Sequence, residues 1–122
     1  MRADASDQGH ALVIENGTSS PIGARREIRV ERSASGAWQD IGVGLLYLRE
    51  RCESAGGGLV EPSACVAIAP GATFRAAAWT HMTGDAQCAC EECGPAGAGS
   101  YRFVVTACEG GASFETAAFE VH

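Results

Sequence analysis

The chemistry-bearing side chains of this chain crowd into one stretch, His81-Met82-Thr83-Gly84-Asp85-Ala86-Gln87-Cys88-Ala89-Cys90-Glu91-Glu92-Cys93. Three thiols, an imidazole, a thioether and three carboxylates fall within 13 residues. Thiolate with imidazole suits zinc, and thiolate with thioether suits copper(I). A tetrahedral ion would take His81, Cys88, Cys90 and Cys93. The spacing is unusual for zinc, because a ribbon needs two separated Cys-x-x-Cys pairs and only Cys90–Cys93 has that form. The preferred reading is therefore a disulfide-knotted loop with no cofactor, and zinc or copper is the alternative. In an oxidising compartment thiols pair, and a paired thiol is no ligand.

Other reactive groupings are weaker. Cys90-Glu91-Glu92-Cys93 has the outline of a redox pair, but two glutamates oppose thiolate formation and Gly94-Pro95 starts no helix. His10 and His122 stand apart from the cluster in sequence. There is no G-x-S-x-G elbow, so no nucleophilic serine is marked. Gly56-Gly57-Gly58 and the glycines from Gly94 to Gly99 lack the lysine and the following helix of a phosphate cradle. Asn16-Gly17-Thr18 fits a glycosylation sequon, although a turn accounts for the same residues. No catalytic set is marked, and the chain is expected not to be an enzyme.

The remaining cysteines are Cys52, Cys65 and Cys108, and all six are expected to form disulfides. Cys52 and Cys65 flank the loop at Ala55–Gly58, so we expect them to pair with each other. One of Cys88, Cys90 and Cys93 is then expected to join Cys108. Such cross-linking implies an extracytoplasmic setting: periplasm, envelope or medium. Met1 to Gly9 is polar and carries no signal-peptide core, so a leader is expected to have been removed. These first nine residues are read as disordered.

The elements that must position these groups are short strands. His10–Glu15 (HALVIE) is one. Arg26–Arg32 (REIRVER) alternates, with Ile28 and Val30 on one face, and returns across Ser35-Gly36 into Trp38–Ile41. Gly44–Arg51 reads less clearly as a strand. Ala64–Ala69, Thr73–Met82, Tyr101–Cys108 and Ser113–Val121 complete the set, punctuated by Pro70-Gly71 and Gly110-Gly111. About seven or eight short strands at regular spacing predict an all-β antiparallel sandwich occupying residues 10–122 as a single domain.

Net charge is -6, and every basic side chain is arginine. Arg25, Arg26, Arg29 and Arg32 alternate with Glu27 and Glu31, as on a solvated strand face with cross-strand ion pairs. Nucleic acid is excluded as a partner on this balance. No run reaches the roughly 18 apolar residues of a membrane span.

From Ala64 onward, the sequence Ile68-Ala69-Pro70-Gly71-Ala72-Thr73-Phe74, then Trp79, then Gly97–Phe103 (GAGSYRF) and a closing Phe119-Glu120-Val121, resembles the BsuPI-type intracellular proteinase inhibitors. It is equally similar to small cysteine-bearing bacterial lipoproteins and secreted proteins. The resemblance covers residues 64–121 and implies an immunoglobulin-like sandwich with Trp79, Tyr101, Phe103 and Phe119 in the core. No reactive-site loop matches residue by residue, and the cysteines depart from a cytoplasmic inhibitor. The expected function is a non-enzymatic immunoglobulin-like binding or structural module whose partner is another protein. Proteinase inhibition and metal binding through His81–Cys93 are the alternatives.

Overall fold

A computed structural model of the chain describes residues 1–7, 9–46, 65–76, 78–83 and 94–122. They form nine strands: β1 (Arg2–Ser6), β2 (Gly9–Glu15), β3 (Ile22–Ala34), β4 (Ala37–Leu46), β5 (Cys65–Ile68), β6 (Thr73–Arg75), β7 (Gly99–Ala107), β8 (Ser113–Glu115) and β9 (Phe119–Val121). All pairings are antiparallel. One sheet has the order β1-β2-β6. The other, of six strands, runs β4-β3-β7-β8, with β5 also on β3 and β9 also on β7. The two sheets pack as a sandwich, the architecture that the regular strand spacing predicts.

The long strand β3 is the spine of the larger sheet. Its Ala24, Ile28 and Val30 turn inward and are buried. They meet Tyr101, Phe103 and Val105 from the adjacent β7, while Leu12 and Ile14 of β2 close the core from the other sheet. On the outer face of β3, Glu31 lies opposite Arg102. Their ion pair measures 2.7 Å, and the Arg102 guanidinium stacks 4.4 Å above the Trp38 ring. Glu31 thus makes the kind of cross-strand ion pair expected of this charged face. Arg32 falls on the inward parity instead. It reaches past Tyr101 to donate to the carbonyls of Ala96 and Ala98.

Four expectations need correction. Residues 2–6, read as part of a disordered lead-in, pair with β2 from Arg2–Val13 to Ser6–Gly9. Asp4 on this strand also bonds Arg75 at 3.0 Å across the sheet. The strand read over Thr73–Met82 stops at Arg75, and Trp79 rejoins the sheet only through an isolated bridge to His10. The strand read over Ser113–Val121 is two pieces, β8 and β9, which both pair with β7. Finally, Cys65 is bonded to Cys108 and not to Cys52.

The disulfide reflects the strand order. β5 lies on β3 in the register Ile22–Ile68 to Arg25–Cys65. On the other side of β3, Cys108 donates its amide to the Gly23 carbonyl at 3.1 Å. The bridge therefore passes over β3 at Gly23, and a Cβ placed there would lie 3.5 Å from the Cys108 sulfur. It joins two strands of one sheet and does not cross the sandwich.

The turn at Pro70-Gly71 carries the chain from one sheet to the other. Gly71 adopts φ +76, which a glycine reaches without strain. Asn16, at 1% exposure, holds this crossover. Its side-chain amide donates to the carbonyls of Ser20 and Ile68, both at 2.8 Å, and its oxygen accepts from the Thr18 amide and hydroxyl. The sequon reading of Asn16 is thereby answered by an Asx turn whose donors are already committed.

Candidate functional site

The folded chain brings two histidines together from opposite halves of the sequence. His10 projects from the start of β2. His81 sits just beyond Trp79, and its φ of +63 is a left-handed value that histidine enters more readily than most residues. His10 Nδ1 and His81 Nε2 are 2.7 Å apart. One ring nitrogen must donate and the other accept, so one proton is shared along this contact.

Local backbone bonds set this meeting. His10 and Trp79 exchange both main-chain hydrogen bonds, at 3.1 and 2.7 Å. Gly9 permits that approach: its φ is +126, and a Cβ there would stand 1.9 Å from the Trp79 carbonyl oxygen. The Ala96 amide then bonds the His81 carbonyl at 2.9 Å. The Trp79 indole NH donates to the Met82 carbonyl at 2.9 Å, tying segment 80–83 to the core tryptophan.

Aromatic rings complete the surroundings. Phe119 stacks on His10 at a centroid distance of 4.2 Å, and Trp79 meets His81 nearly edge-on at 5.0 Å. Trp79, Tyr101 and Phe103 are at most 2% exposed, and half-buried Phe119 lies between this cluster and the histidines. The Tyr101 hydroxyl rests 2.8 Å from the carbonyls of Ala96 and Gly97, which satisfies its buried polar end.

Partial burial holds both imidazoles below the ordinary histidine pKa, because it penalises the charged ring. For His10, a charge on His81 would add repulsion in the same direction. The pair is thus biased toward neutral rings, the form that offers a lone pair to a Lewis acid.

Of the alternative metal set, only His81 lies among the described residues; Cys88, Cys90 and Cys93 fall outside them, as does Cys52. The two ends of the chain on either side of residues 84–93 are joined. Met82 bridges Pro95, and the Thr83 amide donates to the Gly94 carbonyl at 2.7 Å. Among the described residues no cluster of three or more His, Cys, Asp or Glu side chains converges on a common point. His10, which the sequence places merely at the start of a strand, is the partner that sequence reasoning missed.

Comparison with protein-family models, with curated proteins and with solved structures finds no match to this chain.

A second feature lies at the sandwich edge where β2 faces β3, β7 and β8. A groove of about 570 Å³ opens there, lined by Ile14, Ile22, Ala24, Val105, Phe114 and Glu115, among others. Phe114 is 54% exposed although it is a large apolar side chain. No motif in the sequence marks this groove. Its members come from four strands, and Phe114 reads simply as an alternating strand residue.

Proposed function

We propose that the chain is a non-enzymatic, extracytoplasmic module of immunoglobulin-like form that works by binding another protein. The observation carrying this reading is the exposed Phe114 beside an apolar groove at the edge of the larger sheet. A large apolar side chain held in water beside a concave apolar surface is the composition of a binding site. β8 ends the path β4-β3-β7-β8, and an extended segment adding to such an edge would lay alternate side chains into the groove. The Cys65–Cys108 bridge supports an oxidising compartment.

The test is selection of peptides from a displayed random library on the oxidised protein, with Phe114→Asp as the counter-target. Apolar, extended peptides that bind the wild type and lose at least tenfold in affinity for Phe114→Asp support the reading. Peptides that bind both proteins equally overturn it.

A second reading, proteinase inhibition, is favoured by the Asn16–Pro21 loop. Residues 17–21 are exposed, yet the buried Asn16 and the Thr18 hydroxyl brace them from within. An inhibitory loop must be both accessible and stiff, because a floppy one is ordered at its own entropic cost. Assays against serine, cysteine and metalloproteinases test it. Inhibition abolished by replacing residues 18–20 with glycine supports the reading, and an inert panel ends it.

A further inference from the structure

The histidine contact is built more firmly than a chance surface pair. Each ring stands on a main-chain segment fixed by backbone bonds, His10 through Trp79 and His81 through Ala96. Each ring is also held on one side by an aromatic neighbour, Phe119 or Trp79. The two nitrogens that face each other, His10 Nδ1 and His81 Nε2, have no carboxylate between them, and only a proton joins them. Both rings remain partly open to solvent.

A divalent cation can replace that proton. Zinc binds imidazole nitrogen at about 2.0–2.1 Å, so two nitrogens in a tetrahedral shell lie about 3.3 Å apart. The observed separation is 2.7 Å. Rotating the rings apart by about 0.6 Å, the difference between these distances, opens the required span. Solvent fills the other positions, as at sites where protein side chains supply only part of the shell. Imidazole is a ligand that zinc and copper(II) favour over magnesium or calcium.

We infer that His10 Nδ1 and His81 Nε2 form a two-imidazole site for a divalent transition cation of the zinc or copper(II) class. It needs none of Cys88, Cys90 and Cys93, and it does not depend on the groove at Phe114. Binding requires a change of tautomer in the donor ring: its proton leaves the facing nitrogen for solvent, solvent protonates that ring's other nitrogen, and the neutral pair releases no net proton. Metal uptake therefore cross-links β2 to the segment that follows Trp79.

The experiment is a zinc chloride titration of the oxidised full chain, read by long-range proton–nitrogen NMR of the imidazoles. Close to one equivalent should move the His10 Nδ1 and His81 Nε2 resonances into the metal-bound range. His10→Gln and His81→Gln should each weaken zinc binding at least tenfold, and His122→Gln should leave it unchanged. Zinc that leaves these two nitrogens unmoved overturns the site, including zinc held elsewhere on the chain. So does a folded His10→Gln variant that binds zinc like the wild type. The wild-type spectrum decides the matter even if a variant fails to fold.

Discussion

Removing the Cys65–Cys108 bridge tests the strand order directly. The two cysteines are separated by 43 positions and lie on opposite sides of β3. Closing a loop of that length restricts the unfolded chain by an entropy equivalent to about 4 kcal/mol at room temperature. For a chain of 122 residues, a loss of that size lowers the melting temperature by about 15 °C. The double variant Cys65→Ser/Cys108→Ser is the right perturbation, because a single substitution would release one thiol to exchange with the other cysteines. Circular dichroism melts of the oxidised wild type and the double variant give the shift. Hydrogen exchange then locates it: β5 holds to β3 over only four residue pairs, so its amides should lose protection first. A peptide map without reduction should contain a Cys65–Cys108 link. A map joining Cys65 to Cys52, or a double variant melting within about 3 °C of wild type, would refute the placement of β5 on β3.

Trp79→Ala should destabilise the protein by about 3–5 kcal/mol, measured by denaturant unfolding, since the indole is fully packed against Tyr101 and Phe103. Asn16 should carry no glycan when the protein is secreted from a glycosylating host, as intact mass will show. Asn16→Ala should cost about 1–3 kcal/mol by leaving the Ile68 carbonyl buried without its donor. In metal-free buffer, stability should fall with acidification. The folded pKa values of His10 and His81 lie below the unfolded value, so the unfolded chain takes up protons first as pH drops through about 6.5 and below. Stability is complete above that value, and the slope of melting temperature against pH between 7.5 and 5 should flatten in His81→Gln. An unchanged slope would contradict the assigned cause.

The parts of this fold legible in the sequence are those that local pattern determines. REIRV alternates because one face of β3 is buried and the other meets water. Gly110-Gly111 and Ser35-Gly36 mark hairpins because these residues take positive φ there, including Ser35 at +51. The aromatic group at Trp79, Tyr101 and Phe103 is legible through the resemblance over residues 64–121; size alone would have buried Phe114 too, and it is 54% exposed. What escaped the sequence was long-range. β1, RADAS, shows almost no alternation because it lies mostly exposed on one edge, so nothing in its composition distinguishes it from a tail. β5 takes the part of β3, Ile22 to Arg25, that β4 leaves open by pairing only from Glu27 to Ala34. No cysteine spacing encodes that. The His10–His81 contact spans 71 positions, and neither ring stands in a motif.

These long-range elements are not independent of one another. Trp79 is at once the largest buried side chain, the backbone partner of His10 and the donor that fixes Met82. The glycine before His10 exists for the same contact, since any side chain at position 9 would collide with the Trp79 carbonyl. A single indole therefore couples the packing of the sandwich to the spacing of the two imidazoles. The short detour from Arg75 to Trp79, where continuous pairing was expected, has a physical cause in this arrangement. A strand that continued straight would alternate Arg75 and Trp79 onto one face, and only one of them can be dry. By leaving the sheet after Arg75 and returning at Trp79, the chain keeps the arginine beside Asp4 at the surface and turns the indole inward. That same turn delivers His81 to His10. The histidine pair is thus a consequence of how this sandwich resolves a conflict between a charge and a ring.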